Sequence, residues 1–386
     1  MQIQTWNKTK VINSIFNKKL MKALLIGFLL LAPTIVGANN FFSNENDGPY
    51  ISYKGNEVVV RSIVVENGER RLSEKKYSEN ERLKIPVEIN FIDHPEWNFS
   101  VKLQSELKIE PVSFKQPKTL LALSDIEGEF EALRKLLLAN KVIDEKYNWI
   151  FGKGHLVICG DLFDRGSYVA ETIWLLYKLE QDARAKGGYL HTILGNHDIM
   201  NLSGDLRYLD KKYLDNAKLL GVDYMDLYSN DTELGRWLRS KNLVEKIGDN
   251  LCLHAGVAPE INKLKLTLEE INTGSRPFYD KAKKRDLFTD ERIWKLFDGS
   301  KSSVFWYRGY FSEPKATEAE VNETLAIYKV KRIIVGHTIT AENVGFYYNG
   351  KVLGIDVNQH KGKHEGALYD AGIWYKVGVD GTRKQL

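Results

Sequence analysis

From Thr119 onward the chain alternates short apolar runs with polar loops, and several of these loops lead into helical stripes. The runs LALSD, LVICGD, TILGNHD, LCLHAG and RIIVGHT each break off at a potential ligand. Phe130, Leu133, Leu136 and Leu137 recur at helical spacing after the first run, and Val169, Ile173, Leu176 and Leu179 after the second. This is the signature of stacked β-α units. Upstream, residues 49 to 115 alternate as strands do: Tyr50 to Tyr53, Val58 to Val65, Pro86 to Ile92 and Phe99 to Leu103, parted by charged or Gly/Asn-containing turns. The pattern predicts a mixed α/β (α+β) protein with a small β-rich module over 39–117 and a larger domain over 118–386. No internal repeat or low-complexity segment interrupts it.

In open α/β sheets the crevice beyond the carboxyl ends of the strands binds ligands. Five strand ends would carry Asp125, Asp161, Asn196 to Asp198, His254 and His337 into one cleft. Asp125 and Glu127 stand two apart, so at strand spacing they point the same way. Two converging carboxylates are stable only beside a positive partner.

The first 38 residues differ from the rest. Lys18, Lys19 and Lys22 precede the apolar run Ala23 to Ala32, and Val36-Gly37-Ala38 offers small residues for cleavage. This predicts an export signal over 1–38, with Met21 a candidate start, and a periplasmic or secreted product. An uncleaved membrane anchor is the alternative, but the run is short for a bilayer span and Pro33 breaks it, so no stable span is expected in the mature form. Residues 1–38 hold five lysines and no acid; without them 50 basic residues face 51 acidic ones, and the formal +4 becomes about −1. A near-neutral chain lacks the broad basic surface that long nucleic acid requires. Cys159 and Cys252 each sit in an apolar run and read as buried thiols, not a disulfide or metal site. The sequence carries no signal of oligomeric state.

Carboxylates, an amide oxygen and imidazoles form an oxygen and nitrogen donor set suited to divalent Mn, Fe, Zn or Co. Two such ions about 3.5 to 4 Å apart polarise a phosphoryl oxygen and lower the pKa of a trapped water toward ~7. That is the chemistry of phosphoester hydrolysis, which also needs guanidinium groups for the phosphate and a proton donor for the leaving oxygen. Arg165, Arg308 and His197 are candidates.

SDIEG, GDLFDRG, GNHD, LHAG and VGHT, in this order, resemble the motif series of the calcineurin-like metallophosphoesterases. GDLFDRG is similar to the phosphoprotein-phosphatase branch, and FWYRGYF with ELGRWLRS resembles its bacterial Shewanella-like members. The resemblance covers about residues 119 to 380 and implies a four-layer αββα sandwich of two mixed sheets. It also implies two divalent ions, Mn or Fe ahead of Zn or Co. Asp125 and Glu127 would bind the first, Asp161 would bridge, and Asn196, His254 and His337 would complete the second. His197 would be the general acid beside Asp164, with Arg165 and Arg308 on the phosphate.

Two positions depart from the family pattern. Glu127 stands where the family usually has histidine. With two divalent ions and one hydroxide, the three carboxylates bring the site to zero charge instead of +1, which gives the arginines more of the work of holding a dianion and tilts the first position toward Mn or Fe. Ile339 stands where many members outside this branch carry another histidine.

The expected activity is phosphomonoester hydrolysis on a phosphoprotein, including phosphotyrosine, or on a small molecule. The alternatives are a dinucleoside polyphosphate hydrolase and a catalytically weak phosphate- or peptide-binding surface protein on the same fold. His360 and His364 follow the strand-like VLGIDV in a loop and read first as exposed loop histidines, with reach into the cleft as the alternative for either; Tyr208, Tyr224 and Trp237 read as packing residues ahead of a lid or pocket.

Overall fold

The computed structural model describes residues 45–340 and 343–386; the predicted leader over 1–38 and its anchor alternative lie outside them. The chain begins with an antiparallel sheet of β1 (Asp47–Lys54), β2 (Glu57–Glu66) and β3 (Glu69–Ser78), followed by the pair β4 (Val87–Ile89) and β5 (Phe99–Val101). There follow β6 (Ser113–Phe114), β7 (Thr119–Leu123), β8 (His155–Cys159), β9 (Tyr189–Ile193), β10 (Val244–Ile247) and β11 (Asn250–Leu253). The last strands are β12 (Arg332–Val335), β13 (Gly345–Tyr347), β14 (Val352–Gly354), β15 (Glu365–Asp370), β16 (Ile373–Gly378) and β17 (Arg383–Gln385). They build two six-stranded mixed sheets, ordered β17-β16-β15-β7-β8-β9 and β13-β14-β12-β11-β10-β6.

The apolar runs are continuous because both faces of these strands are buried. Leu120, Ala122, Val157 and Cys159 of one sheet meet Ile247, Cys252, Ile334 and Leu353 of the other in the space between the sheets. The alternate residues Leu121, Leu123, Leu156, Ile158, Leu251, Leu253, Ile333 and Val335 face the outer, helix-covered layers. The result is the expected four-layer αββα sandwich. Both thiols are free and buried in its middle, where contact with Cys159 and then burial push the Cys252 thiol well above its usual pKa.

Helices α1 (Phe130–Ala139) and α2 (Val169–Ala185) cross over between the parallel strands β7, β8 and β9. In α1 the stripe Phe130, Leu133, Leu136 and Leu137 is buried as its spacing predicts. In α2 burial runs almost all round, taking in Trp174, Leu175, Tyr177 and Glu180 as well. The cause is the N-terminal segment, which packs over the helix: Trp174 Nε1 donates to Pro49 O at 2.8 Å, and Tyr177 Oη accepts from the Gln104 amide at 2.7 Å. The β-rich segment thus shares one apolar core with the sandwich. It also carries a strand that the apolar pattern does not announce, β3, whose sequence ERRLSEKKYS forms a charged edge.

A polar junction locks this segment down. Arg82 Nη2 donates to both Glu233 oxygens at 2.8 and 2.9 Å, Tyr177 Oη donates to the same carboxylate at 2.5 Å, and Tyr53 Oη bonds it too. Glu233 is 1% exposed. Removing one partner strands the others without water. Glu233→Ala is expected to lower unfolding stability by about 3 kcal/mol or more in a urea titration; a loss under about 1 kcal/mol would show that the junction does not anchor residues 45–117.

Candidate active site

The exits of β7, β8, β9, β11 and β12 all open at one end of the sandwich, because β7-β8-β9 and β11-β12-β14 are parallel sets. Each exit is tied to another. Asp125 N donates to Gly160 O at 3.0 Å, Glu127 N to Asp161 O at 2.9 Å, and Gly336 N to His254 O at 2.8 Å. Asp125 Oδ2 accepts from the His337 amide at 3.0 Å, and Asp161 Oδ1 from the His197 amide at 2.9 Å. Asp125, Glu127, Asp161, Asp164, Arg165 and His337 all have positive φ, six of the fourteen non-glycine residues that do so among those described. Held left-handed backbone costs roughly 1 kcal/mol or more per residue and concentrates where geometry serves a site. At Gly195 a Cβ would lie 2.2 Å from Asp161 Oδ1, so only glycine permits this approach.

All ten residues expected at the site join one contact network. His254 Nδ1 donates to the Cys159 carbonyl across the two sheets at 2.8 Å, which leaves Nε2 as a lone pair in the neutral ring. That lone pair faces Asn196 Oδ1 at 2.8 Å, His337 Nδ1 at 3.1 Å and Asp161 Oδ2 at 3.2 Å. Four electron-rich atoms turned on one another repel unless a cation or a proton stands among them. The pKa values carry the same message. Burial opposes charge on His254, yet Asp161 and Asp125 raise it to about 10; burial, Asp161 and Asp125 together push Glu127 up to about 8 against Arg165 and His197. Burial, followed by His254 and Arg308, holds His337 well below its ordinary range, as a neutral ring. Asp161, Glu127 and His197 form a second buried cluster of donor atoms beside the first. The donor set therefore fits divalent cations.

His197 stands next to this cluster. Its Nδ1 donates to Asp164 Oδ2 at 2.5 Å, and its Nε2 lies 3.9 Å from both Glu127 and Asp161. Burial disfavours the imidazolium, but Asp161 and the Asp164 hydrogen bond outweigh it and raise the pKa to about 9. Asp164 is itself oriented: Asn201 Nδ2 donates to its Oδ1 at 2.8 Å, and Tyr224 Oη donates to Asn201 Oδ1 at 2.8 Å. Asn201 lies on α3 (Asn196–Leu202), one turn from His197. Arg165 pairs with Glu127, and Arg308 Nη1 donates to His337 O at 2.6 Å.

Asp198, the last residue of GNHD, turns to backbone amides and not to the donor cluster, and several other residues here lack a motif signal. Asp198 accepts from the amides of Asp161, Leu162 and Gly195 at 3.0, 2.8 and 2.7 Å and so fixes the loop carrying Asp161. Asn201 and Tyr224 come from a helix and an insertion whose sequence reads as packing, as Trp237 indeed is, fully buried with its indole on Glu180. Tyr208, by contrast, is 47% exposed with its ring 5.1 Å from that of His197, and Trp306 lies 5.7 Å from His337. A cleft of about 170 Å³ opens beside Asn196, lined by Ile199, Met200, Phe305 and Trp306, with the exposed cations Arg207 and Lys283 in its wall. Asp356, buried at the exit of β14, is a further carboxylate, raised well above its usual pKa by burial and by Asp125.

Residues 118–341 match the calcineurin-like phosphoesterase family. Among solved structures, a cold-active protein tyrosine phosphatase superposes with a TM-score of 0.79 at 37% identity, covering 89% of this chain and 97% of that one. Another structure, of the cold-active protein tyrosine phosphatase of a psychrophilic Shewanella species, gives 0.78 at 38% identity, covering 89% and 99%. Shewanella-like protein phosphatase 2 of Arabidopsis thaliana is 28% identical over 307 residues, 68% of this chain and 76% of that protein. A motif series spaced along more than half the chain, on the sandwich that this spacing implies, leaves one conclusion: the chain belongs to the calcineurin-like phosphoesterase family and is a phosphoester hydrolase.

Proposed function

We propose that this protein is an exported, dinuclear metal-dependent phosphatase acting on phosphomonoesters. The observation that carries the reading is the His254 lone pair turned onto Asp161, Asn196 and His337, with the His197–Asp164 pair beside it. Asp125, Glu127 and Asp161 would hold a first divalent ion, and Asp161, Asn196, His254 and His337 a second. When bound, the ions supply the positive charge that polarises a phosphoryl oxygen and lets water attack as its conjugate base. His197, kept protonated by Asp164, gives its Nε2 proton to the departing oxygen. Arg165 and Arg308 take the phosphate oxygens, as guanidinium forks do. Oxygen donors at the first position favour Mn or Fe.

A phosphoprotein substrate, with phosphotyrosine foremost, is supported by the names of the similar structures, by the exposed Tyr208 ring beside His197 and by the mixed apolar and basic cleft beside Asn196. Export, to the periplasm or the medium, is supported by the leader-like residues 1–38, and no helix among the described residues is long and apolar enough to cross a membrane.

With an aryl phosphate and added Mn, Asp161→Asn and His197→Ala are each expected to lower kcat by about 10²- to 10⁴-fold; full turnover in both removes the mechanism. A panel of phosphopeptides, nucleotides and sugar phosphates should rank phosphotyrosine peptides first by kcat/KM, and a preference for sugar phosphates or nucleotides would reject that substrate class. Asp164→Asn takes away the charge that holds the His197 proton, so the basic limb of its pH–rate profile should move to lower pH; an unmoved limb would separate His197 from Asp164. At pH 7 both His254 and Glu127, at about 10 and about 8, are protonated before cations bind. Calorimetry in buffers of different ionisation enthalpy should therefore record net proton release on Mn binding at pH 7, and less of it at pH 9, where Glu127 is already ionised. No proton release would contradict the ligand assignment.

A further inference from the structure

The parallel strand β14 is hydrogen-bonded beside β12, and its exit loop reaches the same end of the sandwich as the five motif-bearing exits. The turn Gln359–Lys361 brings His360 Nδ1 to 3.5 Å from Glu127 Oε2. The turn is fixed by its own bonds. Buried Gln359 pairs through Oε1 with His364 Nδ1 at 3.0 Å, its amide donates to Val357 O at 2.7 Å, and Gly362, at φ 82°, donates to Gln359 O at 3.0 Å. The backbone therefore sets where the His360 ring stands.

A separation of 3.5 Å is long for a hydrogen bond between nitrogen and carboxylate oxygen. Two atoms that bind one ion stand about this far apart: donors about 2.1 Å from a cation lie roughly 3.0 Å apart at the right angle of the octahedral geometry usual for Mn and about 3.4 Å apart at a tetrahedral angle. The neighbouring cluster has similar spacing, 3.1 Å from His254 Nε2 to His337 Nδ1 and 3.2 Å to Asp161 Oδ2. The His360 ring makes no hydrogen bond among the described residues, and a ring nitrogen facing a carboxylate at this distance is placed to act as a ligand atom. Asp125, Glu127 and Asp161 alone would give the first position only oxygen, and the exposed Ile339 adds no donor.

We propose that His360 is a protein ligand of the first metal position, the single nitrogen in its donor set. This rests on the two-ion reading above. The test is titration of the metal-stripped full chain with Mn(II), counting bound ions, together with pulsed electron paramagnetic resonance for nitrogen coupling to the bound Mn. The wild type should bind two ions. His360→Ala should keep one at wild-type affinity and weaken the other on the order of 100-fold or more. His360→Asn, whose amide oxygen falls near the place of Nδ1, should recover part of that loss. In His337→Ala, with Mn confined to the first position, a nitrogen coupling should appear and should vanish when His360→Ala is added. Two ions bound at unchanged affinity in His360→Ala, or a coupling that survives the double substitution, overturns the role of His360 and leaves the two-ion reading standing. A wild-type chain that binds fewer than two ions overturns both.

Discussion

Negative charge without water is the constraint that organises this molecule. Asp125, Glu127, Asp161, Asp164, Asp198 and Asp356 are all buried at one end of a sandwich whose middle is aliphatic. Part of that charge is met internally: Arg165 pairs with Glu127, His197 with Asp164, and Asp198 takes three backbone amides. The remainder, around Asp125, Asp161 and the His254 lone pair, is met among the described residues only by imidazoles that take up a second proton, His254 itself and His197 at 3.9 Å from Asp161. A fold selected for stability alone gains nothing from such a cluster. Its persistence, with six residues held at positive φ and glycine forced at 195, makes sense as preorganisation for cations and a phosphate.

The sandwich is what makes the cluster feasible. Each motif-bearing strand is buried on both faces, so its register is fixed by packing and its last residue is delivered to a set place. His254 then crosses from one sheet to the carbonyl of Cys159 in the other, which ties the orientation of a proposed ligand to the spacing of the two sheets. The acid side of the cleft depends on a different layer: Tyr224 and Asn201 hold Asp164, and Asp164 holds His197.

Most of this was legible in the chain because strand exits from doubly buried sheets leave a strong trace: an apolar run that stops at a polar residue. The order of LALSD, LVICGD, TILGNHD, LCLHAG and RIIVGHT carries the architecture and the residues from Asp125 to His337. What escaped has physical reasons. β14 is three residues long and its exit has no histidine at the breaking point, so Asp356 within VLGIDV goes unnoticed and His360 reads first as an exposed loop residue. β3 is a charged edge with little apolar alternation to betray it. The all-round burial of α2 comes from residues far away in sequence, and the Arg82–Glu233 pair spans 151 positions, a separation over which periodicity says nothing.

Everything at this end of the sandwich requires that positive ions complete the buried acid cluster. The most direct measurement is anomalous diffraction at the manganese edge from crystals of the full chain grown with Mn(II). Two peaks about 3.5 to 4 Å apart with the Asp161 carboxylate between them are expected. Absence of peaks at high occupancy of every cluster side chain, or ions bound only away from Asp161, would contradict it.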